Sequence, residues 1–335
     1  MVLSSTAGSL KFSLKRGALV TAANWPVVLV QFVADTLFKT LLAVPIVGGL
    51  VLVALVVGGD PFEMLRLGAS QIISTMVGVL LAQPIALAAF LIAFGVVLCG
   101  GSVLMFAVKA GSLTVLLAGD RAAGPIEQPP LRMSSVTQAN LFSIERFTTG
   151  VRALFVRYLQ LGVGLTVVYA LLAGSYMALV FGPPATAALA GPLAVTLASL
   201  GLILAVTLVN FLYLLMQIVI AAEDCGVLEA IPHVARLLRR RTKATGQALA
   251  AILALMLMAT GASILATAAL GLIAFVPFVG LAALPLQVFA WLVRGVVFQF
   301  VGLTGVATYV RMHRALQASG VPVRPSDGFQ QVTRA

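Results

Sequence analysis

The sequence predicts an all-α fold: a polytopic transmembrane helix bundle of six spans, with amphipathic helices at the cytoplasmic interface. Three observations carry this. Hydrophobic residues make up 61% of the 335-residue chain and charged residues only 9%, whereas an ordinary soluble domain carries roughly 25% charged residues. Apolar stretches of roughly 20 residues or more, enough to cross about 30 Å of hydrocarbon, recur along the chain. Lysines and arginines fall in alternate connections between those stretches, the pattern that orients a multi-pass protein.

Residues 1–24 read as a cytoplasmic amphipathic segment carrying Lys11, Lys15 and Arg16. The apolar run behind them is far too long for a signal-peptide core, so the first span is expected to stay as an uncleaved anchor. The membrane domain covers 25–316. Its first span, 25–57, is interrupted by Asp35 and Lys39, spaced as i,i+4 partners. The turn-like GGDPF follows, then a half-helix or surface helix at 69–82. A returning span starts at Pro84 and closes a hairpin over 25–118. Spans 159–181 and 189–222 form the second hairpin, within 150–222, through the uncharged FGPPATAALAG. Spans 247–276 and 284–310 form the third, within 245–316, through PFVGLAALP. Residues 317–335 are expected to be a flexible cytoplasmic tail.

Charge placement sets the orientation. Arg121, Arg132, Arg146, Arg152 and Arg157 lie between spans two and three, and Arg236, Arg239, Arg240, Arg241 and Lys243 between spans four and five. Arg311 and Arg314 follow span six, and the opposite turns hold only Arg66. Basic residues near span ends are retained in the cytoplasm, so both termini are expected there, in the cell's inner (cytoplasmic) membrane. This topology accounts for the net charge of +11 without a nucleic-acid partner. The expected partners are the lipid bilayer, anionic headgroups on the cytoplasmic side, and either a membrane protein or a second copy of the chain. Each basic residue close to the surface adds about 1 kcal/mol of attraction to such headgroups.

The stretch AAEDCGVLEAIPHVARLLRRR, 221–241, shows how that charge is presented. At 100° per residue, Val227, Leu228, Ala230, Ile231, Val234, Ala235, Leu237 and Leu238 share one half of a helical wheel. Glu229, His233, Arg236, Arg239 and Arg240 take the other. The segment is expected to lie at the interface, with Arg236, Arg239, Arg240, Arg241 and Lys243 touching headgroups and its apolar side in the acyl boundary or on the bundle. Pro232 suits a first turn, where a missing N–H costs least. Segments 9–21 and 139–156 echo the arrangement. Two accounts fit: a threefold repeat of interfacial helix, span, outer turn and span, or the basic connectors that any run of hairpins acquires.

The order of a span, an acid, a glycine and Glu-Ala opening a basic helix is carried here by Asp224, Gly226, Glu229 and Ala230. It resembles the bacterial six-helix membrane domain sometimes fused to glycerophosphodiester phosphodiesterases, and related uncharacterised inner-membrane families. Those families place a hydroxyl and an aromatic residue where this chain has Val234 and Ala235. The resemblance implies a six-span layout and carries over no catalytic residue, because no phosphodiesterase domain is present.

Polar residues inside spans are costly and mark interiors or cavities. Asn210, Gln217 and Asp224 recur at sevens along the fourth span with Tyr213 beside them, a candidate polar lining. Arg294, seven residues after Gln287, is a further candidate and is expected to point into the bundle. No metal or cofactor is expected. The histidines are only His233 and His313, at no ligand spacing with Cys99 or Cys225. The constellations of intramembrane proteases, zinc enzymes and nucleotide-driven pumps are missing, so catalysis is not expected. Two readings remain: a non-enzymatic protein that organises the envelope or supports partner proteins, and a transporter or permease for a small anionic or amphiphilic, lipid-like substrate.

Overall fold

A computed structural model describes residues 2–57, 71, 74, 78–79, 81–128, 130, 133–181, 192–274 and 279–317. The described segments include α1 (Val2–Ala23), α2 (Trp25–Val57), α3 (Pro84–Ala122), α4 (Met133–Ala139), α5 (Ile144–Phe181), α6 (Pro192–Glu223), α7 (Val227–Ala274) and α8 (Val279–Gln317). Six of these, α2, α3 and α5–α8, are long and apolar enough to cross a membrane. The chain is a six-span helical membrane protein.

Local chemistry sets the breaks. Asn24 separates α1 from α2, because Pro26 has no N–H with which to continue the first helix. Past the end of α3, Gly124 takes a left-handed φ of 53°, a conformation glycine adopts freely at a helix C-terminus. Ser143 caps α5, its Oγ accepting the Arg146 N–H at 3.1 Å. Asp224 ends α6 at φ 50°, which aspartate tolerates better than most residues. Gly226 then precedes α7 and donates its N–H to Glu229 Oε2 at 3.0 Å, the acidic half of a capping box.

Several boundaries differ from the sequence reading. Segment 227–241 is no separate interfacial helix: α7 runs unbroken for 48 residues from it through the fifth span, and Pro232, its sixth residue, lies inside the helix and past the first turn that suits it. Its apolar stripe packs on protein, with Ala230, Val234 and Leu237 buried, while Leu228 and Ile231 are exposed. The 139–156 echo is split, because α4 ends at Ala139 and α5 starts at Ile144. Within residues 1–24, α1 packs along α8. Of the expected half-helix at 69–82, positions 71, 74, 78, 79, 81 and 82 are helical. The rest of it lies outside the described residues, as do GGDPF, Arg66, Arg132, nearly all of FGPPATAALAG, the start of PFVGLAALP and the tail from 318.

The chain divides into two compact units, residues 30–108 and residues 1–29 with 109–335. In the smaller, Leu50, Val53 and Ala54 pack with Val79, Ala86, Leu87 and Phe90. Lys39 Nζ reaches Asp35 Oδ2 at 2.6 Å, the i,i+4 pair that the spacing predicts. In the larger, α8 lies against α1, α7 and α6, and α6 against α5 and α7. Val20, Val27, Val115, Leu116 and Leu303 belong to an apolar cluster there.

The α1–α8 contact depends on Gly17. A Cβ there would sit 2.5 Å from Thr308 Oγ1 and 2.8 Å from the Thr304 carbonyl oxygen. Gly17→Ala should therefore destabilise the protein by about 1–3 kcal/mol through overpacking. Gly246→Ala, which meets nothing within 4 Å, should be neutral or stabilising by up to about 1 kcal/mol. Thermal unfolding in mild detergent compares them, and an unchanged midpoint for Gly17→Ala would contradict the close approach.

Candidate functional site

In the larger unit, charged residues gather where α1, the ends of α3, α6 and α8, the first half of α5 and the start of α7 meet. Two clusters form there. In the first, Arg16 is 6% exposed, Asp120 2% and Glu127 8%. Arg16 Nε donates to Asp120 Oδ1 at 2.6 Å, Nη1 to Glu127 Oε2 at 2.7 Å and Nη2 to the Asp120 carbonyl at 2.7 Å. Nη1 also donates to the Gly124 carbonyl, which the left-handed turn exposes. Arg314 Nη1 takes the other Asp120 oxygen at 2.5 Å, Arg311 Nη2 lies 3.7 Å from Glu127 Oε1, and Lys15 donates to the Glu127 carbonyl at 2.9 Å.

A planar five-donor guanidinium suits this arrangement, because one rigid group satisfies four acceptors at once. Burial opposes both charges. It would lower the pKa of Arg16, but hydrogen bonds and charge from Asp120 and Glu127 outweigh it and the net shift is upward. Burial would likewise raise Glu127, but a backbone hydrogen bond, Arg16 and Arg311 hold it below the usual carboxylate value.

In the second cluster Glu223, at the end of α6, accepts from two histidines. His233 Nδ1 on α7 lies 2.8 Å from Oε2 and His313 Nε2 on α8 lies 3.0 Å from Oε1, with Gln317 Nε2 at 3.3 Å from the same Oε1. One carboxylate thus ties three helices. Next to it, Asp224 pairs with Arg157 of α5. The Cys225 thiol is pushed up by burial and by the charges of Glu223 and Glu229, which makes it a poor thiolate nucleophile. The acid-glycine-glutamate order of 224–229 thereby acquires local reasons: a left-handed helix end, a helix start and its cap.

The candidate lining along α6 does not face one space. Asn210 is exposed and accepts from the Tyr169 hydroxyl at 2.7 Å, holding α5 to α6. Tyr213 and Gln217 are buried; the Lys109 ammonium lies 5.2 Å from the Tyr213 ring centre, and the Gln217 carbonyl accepts from Tyr158 at 2.9 Å. Asp224 is held by Arg157. The period of seven aligns Cα positions, but neighbouring helices engage different parts of that face. Arg294 differs from expectation too: it is exposed, beside a groove between α7 and α8, with its guanidinium 5.7 Å from the Phe298 ring centre. Arg236, Arg239, Arg240 and Lys243 are exposed on α7; the side chain of Arg241 lies outside the described residues.

Sequence reasoning missed Asp120, Glu127 and Asn24. The first two adjoin or follow Arg121 in a connector that reads as basic, and Arg16 reads as an orientation signal. The available signal was scarcity, since the chain has only 10 acids and acids beside span ends seek cations. Asn24 is fully buried; its Nδ2 donates to the Val20 and Ala139 carbonyls at 3.0 and 2.8 Å, and its Oδ1 accepts from Leu141 N–H at 3.0 Å. Among the described residues no group of three or more His, Cys, Asp and Glu side chains could hold a metal ion. The chain matches no protein-family model, no curated protein and no solved structure.

Proposed function

We infer that the chain is a non-enzymatic scaffold of the cell's inner membrane, organising the envelope or supporting partner proteins, with both termini and the charged clusters on the cytoplasmic side. The observation that carries this reading is how the polar residues of the spans are used. The side chains of Asn210, Glu223 and Asp224 each bond to a neighbouring helix, so this polarity of α6 fixes helix positions. The alternation of basic connectors supports the orientation. The exposed Arg236, Arg239, Arg240 and Lys243 suit anionic headgroups. The order Asp224, Gly226, Glu229, Ala230 supports kinship with the six-helix membrane domains it resembles.

A transport reading has one observation in its favour. The Tyr213 hydroxyl, Gln217 Nε2 and Ser112 Oγ are buried without a hydrogen-bond partner among the described residues, and unsatisfied polar atoms of this kind suit a hydrated path. Single cysteines at 210, 213 and 217, in a Cys99→Ala, Cys225→Ser background, separate the readings. The scaffold predicts that a membrane-impermeant maleimide labels none of the three in intact membranes, while a cysteine at 236 reacts only from the cytoplasmic side. Rapid labelling at 213 and 217 would establish an aqueous path and overturn the scaffold.

A further inference from the structure

The groove between α7 and α8 has a volume of about 660 Å³ and is bordered by small side chains of α7, among them Ala259, Ala262 and Ala266. Its polarity is graded along its length. Cβ positions at Gly305 and Gly302 would meet Ile252 and Met256, and continuing that antiparallel register sets Ser263 level with Arg294 and Thr267 level with Trp291. Gln287 lies further along the same wall. One part of the groove therefore holds Ser263, Thr267, Gln287 and Arg294, and the part nearer the charged clusters holds only Ala259, Ala262, Val297 and Phe298.

Depth and charge name the occupant. Arg294 stands 17 residues before Arg311 on one helix, about 25 Å along its axis at 1.5 Å per residue. Arg311 belongs to the charged end, so Arg294 lies in the opposite half of a hydrocarbon layer of about 30 Å, nine residues inside the start of its span at Pro285. The exposed Trp291 one turn away is the residue type that marks the edge of such a layer. Among the described residues no carboxylate pairs with Arg294; its recorded contact is the Phe298 ring. A cation in that half of the span, able to extend toward the headgroups past Trp291 and standing above an apolar slot, matches an anion attached to a hydrocarbon chain.

We propose that this groove binds an anionic phospholipid of the leaflet opposite the charged clusters, its phosphate at Arg294 and Thr267 and one acyl chain along Ala259, Ala262 and Phe298. The site is separate from the headgroup contacts of Arg236, Arg239 and Arg240. Lipid-quenching of Trp291 tests it on the full chain in bilayers, with Trp25→Phe leaving one tryptophan. Brominated phosphatidylglycerol should quench Trp291 with about fivefold higher relative affinity than brominated phosphatidylcholine, the factor expected of one basic residue near the surface. The preference should fall to about onefold in Arg294→Gln, and also in Ala262→Phe, which fills the apolar part while keeping the charge. It should persist in the triple variant Arg236→Gln, Arg239→Gln, Arg240→Gln. Equal quenching by both lipids in the parent, or a preference surviving Arg294→Gln or Ala262→Phe, overturns the site. Quenching by neither lipid does so as well, and would mean that another helix, such as one from a second copy, covers the groove.

Discussion

Arg16→Met should unfold far more readily than the parent, by about 3–5 kcal/mol, because removing one partner leaves buried opposite charges uncompensated. Of their ion pairs among the described residues, Asp120 would keep that with Arg314, and Glu127 that with Arg311 at 3.7 Å. Lys11→Met, at an exposed position of the same helix, should change stability by less than about 0.5 kcal/mol. Arg16→Lys should recover only part of the loss, since an ammonium cannot span four acceptors. Chemical unfolding in mixed detergent measures all three. The same cluster sets a pH dependence. Glu127 is held below its ordinary value of 4.5, so the unfolded chain binds more protons and stability rises with pH in this window. The contribution is complete above about 4.5 and lost as pH falls through the lower folded value. Glu127→Gln should flatten that acid limb. An Arg16→Met midpoint close to that of Lys11→Met would remove the cluster from the account of stability.

Glu223→Ala is the second substitution expected to be severe. It deprives His233, His313 and Gln317 of their shared acceptor and unties α6 from α7 and α8 together. The expected loss is about 3 kcal/mol, between that of a charged hydrogen-bond set and that of a broken buried pair. Glu223→Gln should fall between, as its amide oxygen can serve one histidine while its NH2 faces the other. Glu229→Ala is the control: it is exposed and removes only the bond to Gly226 N–H, worth about 1 kcal/mol as a cap. Thermal unfolding ranks the three, and limited proteolysis around 224–226 reports whether the corner opens locally. A Glu223→Ala protein as stable as Glu229→Ala would mean that the histidines do not depend on that carboxylate.

The spans were legible because hydrocarbon imposes a length and a polarity on every crossing segment, and both can be read locally. All six appear in the structure. Pairings between distant residues were not legible in the same way. Arg16 and Asp120 are 104 residues apart, and nothing in the neighbourhood of either distinguishes a cation that faces water from one that faces a carboxylate. Asn24 is harder still, since it satisfies backbone groups at 139 and 141 that have no distinctive side chains. For α6 the period of seven aligns Asn210, Gln217 and Asp224 along the helix, but which neighbour meets each level depends on helix crossing: Tyr169 meets Asn210, Tyr158 the Gln217 backbone, and Arg157 Asp224. The amphipathic pattern of 227–241 predicted a helix and its apolar face. It could not tell lipid from protein as the surface beneath, because both accept leucine and valine.

The burial of Arg16 has a consequence for biogenesis. Membrane insertion reads lysines and arginines on a nascent segment before tertiary packing exists, when Asp120 and Glu127 have yet to be synthesised or are still unpaired. During that interval Arg16 counts as a full positive charge beside the first span; once the bundle closes, the same charge is neutralised and hidden from lipid. Its two roles are therefore separated in time. A lysine at position 16 would preserve the early charge while impairing the later pairing, and methionine at 16 combined with an added lysine at a surface position of α1 would keep the early charge in a protein that lacks the later pairing.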